Sequence, residues 1–414
     1  MTSRFVAHYS EIALKGNNRR EFVSALRRNL NRVLAGVDHT LEHSGGRFFI
    51  DAEADEADVS QRLSRVFGLS WFAPVDVLRQ DYGSILGAVM EAAGASPAKS
   101  FKISSRRPDK TFPMGSQELA SRLGAAVVEG TGKTVDLAEP ELTIHVDVAA
   151  GKALVYENKT RGLGGLPVGT AGRVIHLFSG GIDSPVAAWL LMKRGARPVY
   201  LHFYLAPTPA AALESKITRL VKVLSAYQGK TTLVLVPFAE YQIAAGGAPG
   251  ELEPSLFRRF MRMTAEALSR SFGAVAVSTG DSLSQAASQT LWNMGSFDAG
   301  ASLPVLRPLL SYDKDEIISL ARRIGTYDLS IEEYKDCCAM ITKHPRTRVR
   351  SEEIGAQVDR LGLRALVPRV IRDATLVSYN PAGDLLRATP LDGMMDEDEA
   401  GREGASPPEP EAEL

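Results

Sequence analysis

At 414 residues, with 44% apolar and 23% charged side chains, the chain has the composition of a soluble globular protein and the length for roughly two or three cored domains. No run approaches the ~20 apolar residues of a membrane span, and Glu11 and Lys15 interrupt the opening segment where a secretion signal needs an apolar core, so a cytoplasmic location is expected. The two cysteines, Cys337 and Cys338, are adjacent, which excludes a disulfide framework and a four-thiolate cluster.

In chain order, "RFVAHYSEIALKGNNRREFVSALRRNLNRVL" reads as a strand, a polar turn and a helix whose Phe22, Leu26, Leu30 and Leu34 share one stripe. "RFFIDAEA" and "EADVSQRLSRVFG" add a strand and a helix, giving a small α+β domain over residues 1–60. From residue 61 to 164 the pattern begins again: "WFAPVDVLRQ", a helix near Tyr82 to Ala93, the strand "FKISSRR", a helix in "GSQELASRLGAAVVEG", and a hairpin of "LTIHVDVAA" with "KALVYENKT". The glycine-rich "RGLGGLPVGTAG" ends this region. Residues 165–392 then alternate apolar strands ("VIHLF", "PVYLHFYL", "TTLVLVPF", "AVAVSTG") with helices, the pattern of a doubly wound parallel sheet. Residues 393–414 are acidic, Pro-rich and poor in apolar side chains, and are expected to be disordered. Residues 396–414 carry a net −7, so the rest of the chain carries +6, a balance compatible with a nucleic-acid partner.

The most specific local signal is "VIHLFSGGIDSPVAAWLLMKRG" at 174–195. A strand ending in a glycine turn that opens a helix aims unpaired backbone amides, and the positive end of the helix, at a bound phosphate. Tight turns use Ser-Gly-Gly for geometry alone, but Ser179-Gly180-Gly181-x-Asp183-Ser184 between strand and helix is a longer constraint. Gly132-Lys133-Thr134 imitates the end of a Walker loop, yet Val127 stands where the leading glycine belongs, and the flanks run helix to loop.

Ser179 to Ser184 resemble the pyrophosphatase loop of ATP-dependent adenylating enzymes, which grips the β,γ-pyrophosphate and frees the α-phosphate for attack. An aspartate in place of the Walker lysine suits AMP transfer, working through a magnesium ion that bridges it to pyrophosphate oxygens. The loop alone also fits GMP synthetase, tRNA thiolases, lysidine synthetase and asparagine synthetase-like enzymes. The remaining stretches choose among them: "YSEIALKGNNRREF", "RRPDKTFPMGSQELASRLGAAV", "GLGGLPVGTAGRVIHLFSGGIDS", "STGDSLSQAASQTLWNM", "RPLLSYDKDEII" and "IGTYDLSIEEYKDCC" resemble, in order, the tRNA uracil 4-sulfurtransferase family.

That resemblance implies a ferredoxin-like domain, a tRNA-binding THUMP domain and an adenine nucleotide alpha hydrolase-like catalytic domain. It implies ATP contacts at Leu177, Phe178, Ser179, Gly180, Gly181, Asp183, Ser184, His202, Phe203, Arg258, Gly280 and Gln289, with Arg259 one step from Arg258. It implies that O4 of uridine 8 in tRNA is adenylated and displaced by a persulfide on Cys338, with Asp183 as the other catalytic residue. Lys335, Lys343, His344 and Arg346 would favour the Cys338 thiolate. RNA contacts are expected at Lys15, Arg19, Arg20, Arg106, Arg107 and Lys110; no residue is assigned to a resident metal. The sequence shows no rhodanese-like domain, so direct delivery from a cysteine desulfurase and regeneration by an external thiol are expected, and a role in thiamine thiazole synthesis is in doubt. Homodimerisation is implied by the resemblance alone. The alternatives are another tRNA-modifying adenylating enzyme and a sulfur-relay protein.

Overall fold

The computed structural model describes residues 2–9, 11–107, 110–149, 151–334, 337 and 345–391. The chain divides into two compact units, 1–166 and 167–414. The acidic tail and Cys338 lie outside the described residues.

The first unit holds two sheets. Strands β1 (Ser3–His8), β2 (His39–Ser44), β3 (Arg47–Ala52), β4 (Trp71–Pro74) and β10 (Thr160–Arg161) form an antiparallel sheet in the order β10-β4-β1-β3-β2. Helices α1 (Arg19–Val33) and α2 (Glu56–Leu63) accompany it, with Leu26, Leu30 and Leu34 of the expected stripe in its core. The second sheet takes β5 (Asp76–Arg79), β6 (Ser100–Arg106), β7 (Thr134–Val135), β8 (Leu142–Ala149) and β9 (Lys152–Tyr156) in the order β5-β9-β8-β6-β7, with α3 (Tyr82–Ala95) and α4 (Ser116–Thr131). The boundary expected after residue 60 is corrected by β4 and β10, which both lie in the first sheet. "WFAPVDVLRQ" is two strands that serve different sheets and break at Val75, whose N–H donates to Arg4 O. Alternating apolar residues show that a strand exists but not which partner it finds. Lys133 of the rejected Walker-like stretch has its ammonium on Ser96 O.

Arg47 of β3 meets Asp147 of β8 at 2.7 Å, and Tyr156 donates to the same carboxylate at 3.1 Å. Asp147 is 1% exposed, so it is an ion-pair partner and hydrogen-bond acceptor shared by both sheets.

The second unit is built on β11 (Arg173–Leu177), β12 (Arg197–Tyr204), β13 (Thr231–Pro237), β14 (Ala274–Ser278), β15 (Val305–Leu306), β16 (Thr375–Tyr379) and β17 (Leu385–Pro390), ordered β15-β14-β11-β12-β13-β16-β17. The first five of these in space are parallel, as expected; β16 and β17 extend the sheet antiparallel, an addition the sequence reading did not contain. Its helices are α5 (Asp183–Lys193), α6 (Pro209–Leu213), α7 (Lys216–Gln228), α8 (Ala239–Ala245), α9 (Glu253–Phe272), α10 (Leu291–Asp298), α11 (Lys314–Ile324), α12 (Tyr327–Ile331), α13 (Ser351–Arg360) and α14 (Leu363–Arg372). Val199, Leu201 and Phe203 of β12 pack with α9, whereas Tyr200, between them, reaches Gln228 of α7 on the opposite face. Because the chain runs from β11 outward to β13 and returns to the other flank of β11 with β14, the order reverses at β11. Ligand crevices in open parallel sheets form at such a reversal, beyond the carboxyl ends of the strands.

Asp147→Ala leaves Arg47 and Tyr156 without their shared partner and should destabilise the first unit by about 3–5 kcal/mol. Asp147→Asn, which keeps an acceptor, should cost less. Denaturant unfolding of both variants checks the order.

Candidate nucleotide site

The loop after β11 is fastened by its own serines. Ser184 Oγ donates to Ser179 O at 2.7 Å and lies 3.1 Å from Ser179 N, which donates back to it. Gly181 N donates to Ser179 Oγ at 3.4 Å. Behind the loop, fully buried His176 donates from Nε2 to Ser184 O (2.9 Å), so its Nδ1 accepts from Ser278 Oγ (2.6 Å). Burial keeps this imidazole neutral, its pKa pushed down to about 4.

The end of β14 closes on the loop backbone to backbone. A Cβ added to Gly280 would lie 2.9 Å from Ser184 N and 3.1 Å from Asp183 C, so glycine is required by space.

These elements enclose a cavity of about 260 Å³. Leu177 and Phe178 reach it from β11, and Ser179, Asp183 and Ser184 from the loop and the first turn of α5. His202 and Phe203 enter from β12, Arg258 from α9, Gly280 from beyond β14, and Gln289 from the segment before α10. Gly180 and Gly181 complete the loop beside it. Phe257, Met261 and Cys337, which the sequence reading did not assign to the nucleotide, complete an apolar wall. Arg258 and Arg259 are now separable: Arg258 lines the cavity, while Arg259 Nε donates to Ser296 O in α10 at 2.9 Å.

The charges are arranged in two groups. Asp183 accepts from Lys314 Nζ at 2.6 Å on one oxygen and from Gln285 Nε2 at 2.8 Å on the other. The preceding residue, Ser284, is the one described non-glycine residue with positive φ (63°), and its N–H donates to Gln289 O at 2.9 Å. Deeper in, Asp281 takes a bidentate pair from Arg258 (2.9 and 2.6 Å), a 3.3 Å contact from Arg307 and the Thr279 hydroxyl at 2.8 Å. Burial by itself would raise the Asp281 pKa, but Arg258, Thr279 and Arg307 outweigh it and hold the carboxyl below its ordinary value. Lys314, Gln285, Asp281 and Arg307 were missed as site residues. Lys314 and Asp281 stand inside the quoted stretches "RPLLSYDKDEII" and "STGDSLSQAASQTLWNM", but nothing in their spacing names a partner.

Of the residues expected to assist Cys338, Lys335, Lys343 and His344 lie outside the described set, as Cys338 does. Arg346 is paired with Glu353 at 2.8 Å and with Glu251.

In the first unit, Lys15 sits 5.0 Å over the Phe22 ring and Arg19 donates to Tyr9 OH at 3.0 Å. Arg19 and Arg20 line a groove with Arg27 and His43. Arg106 and Lys110 are exposed, but Arg107 turns inward, donating to Phe112 O at 2.5 Å. Sequence reading missed a strip drawn from both sheets: His8, Trp71, Tyr156 and His145 stack in succession at 5.5, 5.5 and 4.9 Å, with Lys159 Nζ 4.6 Å over Trp71.

A glycine loop at the reversal point of a parallel sheet, with its aspartate held in a charged mouth, defines an α/β nucleotide-binding enzyme of the pyrophosphatase-loop class. Residues 169–363 match the family model "Thiamine biosynthesis protein (ThiI)", residues 4–73 the ThiI ferredoxin-like domain, and residues 86–157 the THUMP domain. The chain belongs to the tRNA sulfurtransferase family. It is 38% identical over 390 residues to a probable tRNA sulfurtransferase of Moorella thermoacetica, covering 93% of this chain and 100% of that one. It is 38% identical over 393 residues to the corresponding Thermus thermophilus protein, covering 94% and 97%. Among solved structures, a 4-thiouridine synthetase in complex with RNA and ATP superposes with a TM-score of 0.81 at 32% identity, covering 91% of this chain and 100% of that one. PH1313 of Pyrococcus horikoshii shares the fold, at 22% identity and a TM-score of 0.61, over 78% and 99% of the two chains.

Gly280→Ala should push β14 off the loop and weaken ATP binding by roughly tenfold or more, at a stability cost of about 1–3 kcal/mol; titration calorimetry checks the first and thermal unfolding the second. His176 adds a pH dependence. Unfolded, it binds its proton near the ordinary pKa of 6.5, and folded only near 4. Stability is therefore full above pH 6.5 and falls as pH drops through that window, by on the order of 3 kcal/mol in all. Denaturant midpoints at pH 7 and pH 4.5 should fall less in His176→Gln than in wild type.

Proposed function

We propose that the chain converts uridine 8 of tRNA to 4-thiouridine in an ATP-dependent reaction, with the sulfur carried as a persulfide on Cys338. The observation that carries this reading is that one cavity is lined both by the phosphate-type loop and by Cys337, the covalent neighbour of Cys338.

The residues fit a nucleotide. The loop opens the N-terminus of α5 beside the cavity, where an anion is favoured, and Lys314 adds a cation next to Asp183. Leu177, Phe178, Phe203 and Met261 offer apolar surface for a base and ribose. ATP supplies the activation: transfer of its AMP group to uracil O4 turns that oxygen into a leaving group. Asp183 is suited to a magnesium ion on the pyrophosphate, in exchange for its contacts to Lys314 and Gln285.

The terminal sulfur of the Cys338 persulfide attacks C4 of the base as AMP leaves with O4. Two equivalents of an external thiol then reduce the resulting S–S bond: the first attacks the Cys338 sulfur, releasing the thiocarbonyl and leaving a mixed disulfide, and the second returns Cys338 as a thiol while the external thiols leave as their disulfide. The sulfur is supplied by a cysteine desulfurase. The first unit binds the tRNA through Arg19, Arg20, Arg106 and Lys110. A cytoplasmic enzyme acting as a homodimer completes the reading; among the described residues no helix is long and apolar enough to cross a membrane. A sulfur-relay role toward the thiamine thiazole, the reading favoured by the family model's description, would not need Asp183.

In an assay with unmodified tRNA, ATP, magnesium, a desulfurase and cysteine, read by the near-ultraviolet absorbance of 4-thiouridine, Asp183→Ala and Cys338→Ser should each lower product by roughly a hundredfold or more. Product that survives loss of Asp183 would favour the relay. A wild type that consumes ATP with tRNA but makes no thiouridine would point to another modification.

A further inference from the structure

The segment that leads into the cysteine pair is fastened point by point to the walls of the cavity. Lys216 opens α7 and is 6% exposed, and its ammonium donates to Ser330 O at 2.8 Å and to Glu332 O at 2.7 Å. A buried cation at a helix N-terminus is disfavoured both by desolvation and by the helix dipole. Two carbonyl oxygens of the segment offset that cost. Arg219, one turn along α7, pairs with the Glu332 carboxylate.

The next fastening uses the end of β12. His202 Nδ1–H donates to Phe178 O at 2.8 Å, so its Nε2 carries the lone pair and accepts the Tyr334 hydroxyl, also at 2.8 Å. The following residue of β12 holds the cysteine: Cys337 Sγ donates to Phe203 O at 3.1 Å. The phosphate-type loop rests on the same construction, since a Cβ at Gly180 would lie 2.8 Å from Lys216 Cε and 3.2 Å from Tyr334 Cδ1.

We infer that Lys216, Tyr334 and Cys337 are positioning residues for the sulfur-carrying cysteine that follows them in the chain, and that Cys337 itself does not carry sulfur. The inference rests on the sulfur-transfer reading above. Cys337 is 1% exposed, out of reach of a sulfur-donating protein. Its S–H is engaged as a donor to a carbonyl, whereas attack on a sulfur donor requires the thiolate. Cys338 is one peptide unit on, about 3.8 Å between Cα atoms, so whatever fixes Cys337 limits where its neighbour can be.

The test uses the full chain as wild type, Cys337→Ala, Cys337→Ser, Tyr334→Phe and Cys338→Ser, with three readouts. These are 4-thiouridine formed, tRNA-dependent pyrophosphate released in the first turnover, and the cysteine that carries persulfide after loading by the desulfurase, located by mass spectrometry. Tyr334→Phe should release first-turnover pyrophosphate within about twofold of wild type, and both Tyr334→Phe and Cys337→Ala should form 4-thiouridine about tenfold more slowly, the cost of a misplaced nucleophile. Cys337→Ser should recover most of the product rate, because its hydroxyl can donate to Phe203 O. Wild type should carry persulfide on Cys338 alone.

Persulfide on Cys337, an unchanged product rate in both Cys337→Ala and Tyr334→Phe, or a Cys337→Ser as defective as Cys338→Ser would each overturn the inference. Should Cys337→Ala fold poorly, Tyr334→Phe still has to show the split between pyrophosphate release and product. Full activity in Cys338→Ser would instead strike the sulfur-transfer reading, so the two failures are distinguishable.

Discussion

The site depends on one close approach. Where β14 leaves the sheet, the backbone at Gly280 lies against the backbone of Asp183 and Ser184 with no room for a side chain. That contact brings the two sides of the sheet's order reversal together at the start of α5. It lets Arg258, Thr279 and Asp281 form one wall of the cavity whose other wall is the loop and β12. His176, buried and neutral beneath the loop, ties the same turn down from below by bonding Ser184 O and Ser278 Oγ. The loop is thus held in shape by bonds within the protein itself.

The aspartate that stands where a Walker loop has a lysine has a structural counterpart. Lysine is not absent from the mouth of this cavity: Lys314 comes from α11, far along the chain, and meets Asp183 at 2.6 Å. With Gln285 on the other oxygen, the carboxylate is oriented at the cavity's edge rather than left to rotate. At this partly exposed position the pair contributes little to stability. Its effect is to hold the carboxylate in one orientation at the edge of the cavity.

The first unit solves a different problem. Its two sheets bury separate cores, and they are joined by a small shared cluster of Val6, Ala73, Val75, Leu154 and Tyr156 and by the buried Arg47–Asp147 pair. Splitting β4 and β5 at Val75 is what gives each sheet one of those strands. The same junction carries the stacked His8, Trp71, Tyr156 and His145 with Lys159 beside them.

By itself the sequence determined the local elements and the kind of chemistry. Apolar runs and helical stripes located the strands and helices, because periodicity follows directly from which face is buried. The Ser179–Ser184 string marked the loop, because its meaning lies in residues close together in the chain, whereas a sulfur role for the adjacent cysteines came only through the resemblance to the family. Only the tertiary structure decided what depends on distant partners. It assigned β4 and β10 to the first sheet, separated Arg258 from Arg259, and turned Arg107 inward. It also brought Lys314 and Gln285 to Asp183, placed Asp281 in the cavity wall and made Cys337 a donor to Phe203. A one-residue step along a helix turns a side chain by about 100°, and a pair such as Asp183–Lys314 is created by the fold, so neither could be read from spacing alone.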